Sequence, residues 1–308
     1  MNHISILPGK SIFLSLLILL VIPGQTWSAE NTETLKGNGV VVRFTEPHQG
    51  AAEEIKKIFP TVKAELEKTF GWPLDFDTTV FLSEDHESFQ GRVGNNLVVA
   101  YAVPQKNLIV FDSTMMNKSP FSIGVTLKHE LCHLFLHRHI AADDFPKWLD
   151  EGIAQWVSGG VAEILLGGQE TTLDQASLSG KLIPIRALEK TFPGDDASFR
   201  LAYGESKSLV EFIVNTAGSD GLRNILDDLR KGASIDEAVT RELGFPHGDL
   251  ERNWQRSLQG RMTWVAYMSR RLYSILFFLA GLATVAGFIR FLVRKRAYID
   301  DDDGEGRA

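Results

Sequence analysis

Apolar residues recur along this chain with two different periods, and the change of period divides it. Val40-Val41-Val42-Arg43-Phe44 is a β-branched run ended by Pro47, and residues 78–82, 96–101 and 107–111 are further short apolar runs bounded by turn residues, so each is predicted to be a strand. Between the first two, Ile55, Ile58, Val62, Leu66 and Phe70 fall at helical spacing over 51–70, where Pro60 is expected to kink or split the helix. The period then becomes helical for good. Ser119-Pro120 offers a cap and a first-turn proline to a helix with the stripe Ile123, Leu127, Leu131 and Leu134, and Pro146 opens another that carries Trp148, Leu149, Ile153 and Trp156. Residues 158–198, rich in Gly, Ser and Thr around the apolar piece Leu182-Ile183-Pro184-Ile185, read as a long, partly irregular connection. Helical periods resume over 205–215, 221–229, 235–243 and 250–258. The predicted class is α+β, a small mixed N-terminal sheet followed by a helical C-terminal half.

Two longer apolar runs lie outside this body. Lys10 precedes the run from Ser11 to Ile22, Pro23-Gly24 ends it, and Thr26 and Ser28 place small residues where a signal peptidase reads, so 1–28 is expected to be a signal peptide. Residues 272–289 contain no charge and, at 1.5 Å per residue, cover most of a roughly 30 Å hydrocarbon core. Arg290 can snorkel to the headgroups, which extends the expected transmembrane helix to 272–293. Arg252, Arg256, Arg261, Arg270 and Arg271 before it are balanced by Arg290, Arg294, Lys295, Arg296 and Arg307, so basic residues do not orient the span. The signal peptide does: it puts 29–268 on the extracytoplasmic side, periplasmic or extracellular, and the basic-then-acidic tail 294–308 in the cytoplasm. Ala283 and Gly287 form one small-xxx-small pair, too little to set the oligomeric state.

Composition changes this picture little. The 308 residues carry a formal net charge of −7, exaggerated by the acidic run Asp300 to Asp303, and this offers no basic field for nucleic acid. The single cysteine, Cys132, excludes an intramolecular disulfide and reads as a small buried spacer.

That cysteine sits inside the most specific feature of the chain, His129-Glu130-Leu131-Cys132-His133. On a helix, His129 and His133 lie one turn apart on one face, so both imidazoles reach one ion. Glu130, about 100° round the helix, stands beside that ion without ligating it, the position of a general base in a zinc hydrolase. A third ligand is required. His139 has the spacing of the metzincin pattern, but Leu136 stands where that pattern needs glycine to turn the chain. His137 lies about 80° round from His129, a poor angle for the same ion, and suits the surface or a place behind a ligand. Glu151 remains, separated from His133 by residues 134–150, enough for the helix to end and an antiparallel one to return beside it. One Zn2+ per chain is the expected cofactor.

The segment Trp148-Leu149-Asp150-Glu151-Gly152-Ile153-Ala154 resembles the second zinc motif of the gluzincin metallopeptidases, specifically their peptidase-MA-like members. The likeness continues through Leu182-Ile183-Pro184-Ile185, Leu201-Ala202-Tyr203-Gly204-Glu205-Ser206 and the stretch from Gly232 to Ala238. It implies a zincin-like domain whose twisted sheet has an edge strand above the zinc helix, with peptide or protein substrate pairing along that edge; by order in the chain the edge would be 107–111. It also implies catalysis by Glu130 and Tyr203, the phenol donating to the oxyanion, although Tyr203 also reads as a core tyrosine at a helix start. Asp150 suits either the orientation of a zinc histidine or a solvated place. The aminopeptidase branch holds its substrate's free amine with Gly-x-Met-Glu-Asn, and nothing between Asn95 and Ser113 matches, which points to an endopeptidase. The alternative is a membrane-anchored binding or assembly factor in which zinc only fixes two helices.

Overall fold

The computed structural model describes residues 32–116, 121–141, 145–160, 169–261, 272 and 274–291. The expected signal peptide, the Ser119-Pro120 cap and the tail lie outside them.

Five strands form one mixed sheet: β1 (Glu33–Lys36), β2 (Val40–Phe44), β3 (Thr78–Ser83), β4 (Ala100–Val103) and β5 (Leu108–Asp112), in the spatial order β1-β2-β3-β5-β4. The central strands β2, β3 and β5 are parallel, and β1 and β4 flank them antiparallel. The expectation that 107–111 forms the edge is therefore corrected. The chain makes β4 first, turns through Pro104–Lys106, and inserts β5 between β4 and β3, so β4 is the edge. The apolar run at 96–101 also begins as a turn, and its strand starts only at Ala100.

Alternation sets the two faces of the sheet. Val40, Val42, Phe44, Val80, Leu82, Ile109 and Phe111 join the main core, while Tyr101 on the opposite face meets Phe89 at 5.3 Å. The core face is covered by α1 (Gln49–Phe70) and α3 (Ile123–His139); Phe89 belongs to α2 (His86–Val93). Pro60 does not split α1. It is exposed, as is Lys56, so the carbonyl that loses an amide partner to proline is turned to water. The helix α3 starts at Ile123 with Ser122 at its N-cap and packs against β4 and α1.

Pro146 precedes α4 (Lys147–Ser158), which runs back beside α3. The long connection is more regular than expected, containing α5 (Gln169–Ser179) and a short 3-10 turn at Ile185–Leu188. The helical periods at 205–215 and 221–229 belong to one element, α6 (Asp196–Arg230), broken at Gly218, whose φ of 77° and ψ of 174° are open to glycine. Two shorter helices follow, α7 (Ile235–Leu243), opened by a capping box between Ser234 and Glu237, and α8 (Leu250–Arg261). The expected class, α+β with a mixed sheet ahead of a helical half, is the one observed. Beyond this body, Ser274–Phe291 is a helix long and apolar enough to cross a membrane, with none of it buried.

Candidate metal centre

Helices α3 and α4 pack together and α4 packs on α6, so three helices converge on one point. His129 and His133 bring their Nε2 atoms to 3.2 Å from each other, and Oε2 of Glu151 lies 3.6 Å from each. All three residues are buried, between 5% and 9% exposed. Their ligand atoms fall within 4.8 Å of one another, close enough to share one metal ion. Oε2 of Glu151 is buried and, among the described residues, has no partner within hydrogen-bond distance, an arrangement that costs stability unless a cation completes it.

The electrostatics agree with that need. Burial opposes ionisation of Glu151, yet the His129 and His133 imidazoles outweigh it and hold the carboxyl well below its ordinary range. Burial likewise opposes a charged imidazole at His133, but the Asp150 and Glu151 carboxylates prevail and raise it. A pocket that draws positive charge this strongly, through two imidazoles and one carboxylate, has the donor set of zinc.

The surrounding residues have defined places. Glu130 is 6% exposed beside the cluster; burial raises its carboxyl, against the pull of both histidines. Asp150 is not a solvated neighbour, because its Oδ1 lies 2.8 Å from Nδ1 of His133 and its Oδ2 lies 2.9 Å from Nε2 of His137. His139 is remote, its Nε2 3.1 Å from the Pro73 carbonyl and its ring against Trp72, since α3 continues through Leu136 without turning. Cys132 is fully buried. Tyr203 lies in the second turn of α6, and its phenol is pushed up well above its usual range by burial, then by the Glu151 and Glu130 carboxylates.

Several contributors were not anticipated. Lys147 places its Nζ 3.9 Å from Oε1 of Glu151 and 5.3 Å from the ring centre of Phe192. Phe192 and Phe199 pack on the Tyr203 ring at 5.2 and 4.7 Å, and Gln155 donates to the Tyr203 carbonyl at 3.0 Å. Lys147 is four residues before Glu151, a helical spacing visible in the sequence. The aromatic pair comes from a region with no periodicity to give it away.

Fold and site together define an α+β domain with a candidate metal centre of two histidines and one glutamate. The sequence profile of the peptidase MA superfamily matches residues 71–260, and the chain belongs to that superfamily. No curated protein matches it by sequence. Among solved structures it is similar to yeast LTA4 hydrolase in complex with bestatin (11% identity, TM-score 0.42, 76% of this chain and 38% of that one). It is also similar to an M1 zinc metallopeptidase from Deinococcus radiodurans (17% identity, TM-score 0.41, 74% of this chain and 50% of that one). The chain thus spans half or less of the length of these structures.

Proposed function

We propose that this protein is a membrane-anchored zinc metallopeptidase that cleaves peptide or protein substrates as an endopeptidase on the extracytoplasmic side. The observation that carries the proposal is the buried Oε2 of Glu151, without a hydrogen-bond partner among the described residues and held 3.6 Å from both histidine nitrogens, with Glu130 beside it. His129, His133 and Glu151 hold one zinc ion. When bound, zinc supplies Lewis acidity, lowering the pKa of a water towards about 7 and polarising the scissile carbonyl.

The chain's own residues perform the remaining steps. Glu130, kept basic by the histidines yet raised by burial, accepts the proton of the attacking water on its carboxylate and delivers it to the leaving amine. Tyr203, held in its phenol form, donates its O–H to the oxyanion that develops on the carbonyl oxygen. Asp150 accepts from Nδ1 of His133, which keeps Nε2 free for the ion. Substrate adds as a further strand along β4, the edge that packs over α3.

Endopeptidase action is supported by the missing amine-binding segment between Asn95 and Ser113. Membrane anchoring is supported by the exposed apolar helix and by the apolar N-terminal run; the proposed layout is a signal peptide at 1–28, a catalytic domain at 29–268, a span at 272–293 and a cytoplasmic tail at 294–308. Comparing membrane-proteome fragments between cells carrying the wild type and Glu130→Gln tests the proposal. Fragments present only with the wild type are expected. Identical fragments, with zinc bound in both, would favour a binding or assembly factor on a peptidase scaffold.

A further inference from the structure

The Asp150 carboxylate serves two imidazoles, one on each oxygen. Oδ1 lies 2.8 Å from Nδ1 of His133 and Oδ2 lies 2.9 Å from Nε2 of His137. An ionised carboxylate only accepts, so both ring nitrogens are donors. This places one proton on each ring: His133 donates from Nδ1 and turns its Nε2 to the cluster, and His137 donates from Nε2. Burial works against ionisation of Asp150, and its two imidazole partners, His133 first, hold the carboxyl below its ordinary range nonetheless. The side chains of Asp150 and His137 are only 15% and 19% exposed, and the Phe145 ring meets the His137 ring edge-on at 5.7 Å.

Without His137, one oxygen of a largely buried carboxylate would lose its partner, and Asp150 would be free to rotate away from His133. His129, His133 and His137 follow one another at intervals of one turn along α3. Only the first two face Glu151, while the third meets the group that aims the second. The surface reading of His137 does not account for a 2.9 Å contact to the carboxylate that already holds His133.

We propose that His137 is a positioning residue of the metal centre, which locks Asp150 in the rotamer that orients His133. The inference rests on the reading of His129, His133 and Glu151 as the zinc ligands. His137 acts through Asp150 and takes no part in the chemistry.

The test is the zinc affinity of the full chain in detergent, measured by chelator competition, with the thermal midpoint of the metal-free chain as a check on folding. Wild type is expected to bind one zinc, and His137→Ala to bind it about tenfold more weakly, the lower end of the range for groups behind a ligand. His137→Gln should restore the affinity, because its amide nitrogen sits where Nε2 sat; His137→Asn, too short to reach Asp150, should not. If the alanine variant fails to fold, the comparison of Gln with Asn carries the test alone. In an Asp150→Ala background, His137→Ala should cost nothing further. Unchanged affinity in His137→Ala, no rescue by Gln over Asn, or an additive loss in the Asp150→Ala background would each overturn the inference while leaving the zinc centre standing. A wild type that binds no zinc overturns the metal centre itself and this inference with it.

Discussion

A Cβ built on Gly152 would lie 2.4 Å from the carbonyl oxygen of Ser206, so α4 and α6 touch backbone against backbone at that point. The contact sits one residue after Glu151 and three after Tyr203, and it ties the positions of these two residues to each other. No flexible side-chain end is available to yield there, because the obstruction is the main chain of a helix. Gly152→Ala is expected to destabilise the protein by roughly 1–3 kcal/mol, the cost of overpacking. Activity should fall further than that loss explains, as α6 is pushed away from Glu151. Urea denaturation and peptidase assays on the folded fraction check this; a variant as stable and active as wild type would contradict it.

Tyr203→Phe removes only the hydroxyl. With the ring still packed between Phe192 and Phe199, folding and zinc content should be unchanged while kcat drops by about 10²–10³, the usual effect of losing one oxyanion donor. A comparable loss of zinc would instead mean that the phenol serves to hold Glu151.

The sequence made the metal centre legible because its ligands obey local rules. Two histidines one helical turn apart and a carboxylate on the next helix need no knowledge of the sheet, and His129, His133 and Glu151 do meet. Likewise Ile235–Leu243 has a capping box and a clear stripe, and it is a helix over those bounds. Spatial order is another matter. The apolar pattern of 107–111 says that it is a strand, but nothing in its spacing says that it inserts between β3 and β4, so the edge was misplaced. The helix α5 escaped for a different reason. Leu173 and Ala176 turn inward but Leu178 is 62% exposed, so its apolar residues form no continuous stripe.

Glu205 gives a pH dependence. It is fully buried on α6, accepts from the Ile183 amide at 2.9 Å through Oε1, and among the described residues leaves Oε2 without a partner. Burial, and then the Glu251 carboxylate, push its carboxyl from the ordinary 4.5 to about 8. The folded state therefore holds a proton that the unfolded chain releases near 4.5, so this group's contribution to stability is fully present below that value and is lost as pH rises towards 8. Glu205→Gln keeps the bond to Ile183 and removes the charge. It should match wild type at acid pH and exceed it above pH 8 by up to about 5 kcal/mol, at about 1.4 kcal/mol for each pH unit between 4.5 and about 8. Parallel urea titrations at both pH values check this, and equal stability at the higher pH would refute it.

Anchoring has a direct readout. The full chain should remain with membranes after alkaline carbonate extraction, and removal of residues 272–308 should release it, because one apolar helix of this length is enough to hold a domain in a bilayer. Retention of the shortened chain would point to the N-terminal apolar run as an uncleaved anchor.

The central claim is that His129, His133 and Glu151 share one zinc ion. Anomalous diffraction from crystals of the zinc-loaded protein, recorded on either side of the zinc edge, tests it without reference to any substrate. One peak per chain is predicted, at about 2.0–2.2 Å from Nε2 of each histidine and from a carboxylate oxygen of Glu151. A peak that excludes Glu151, or none among these three residues, would contradict it.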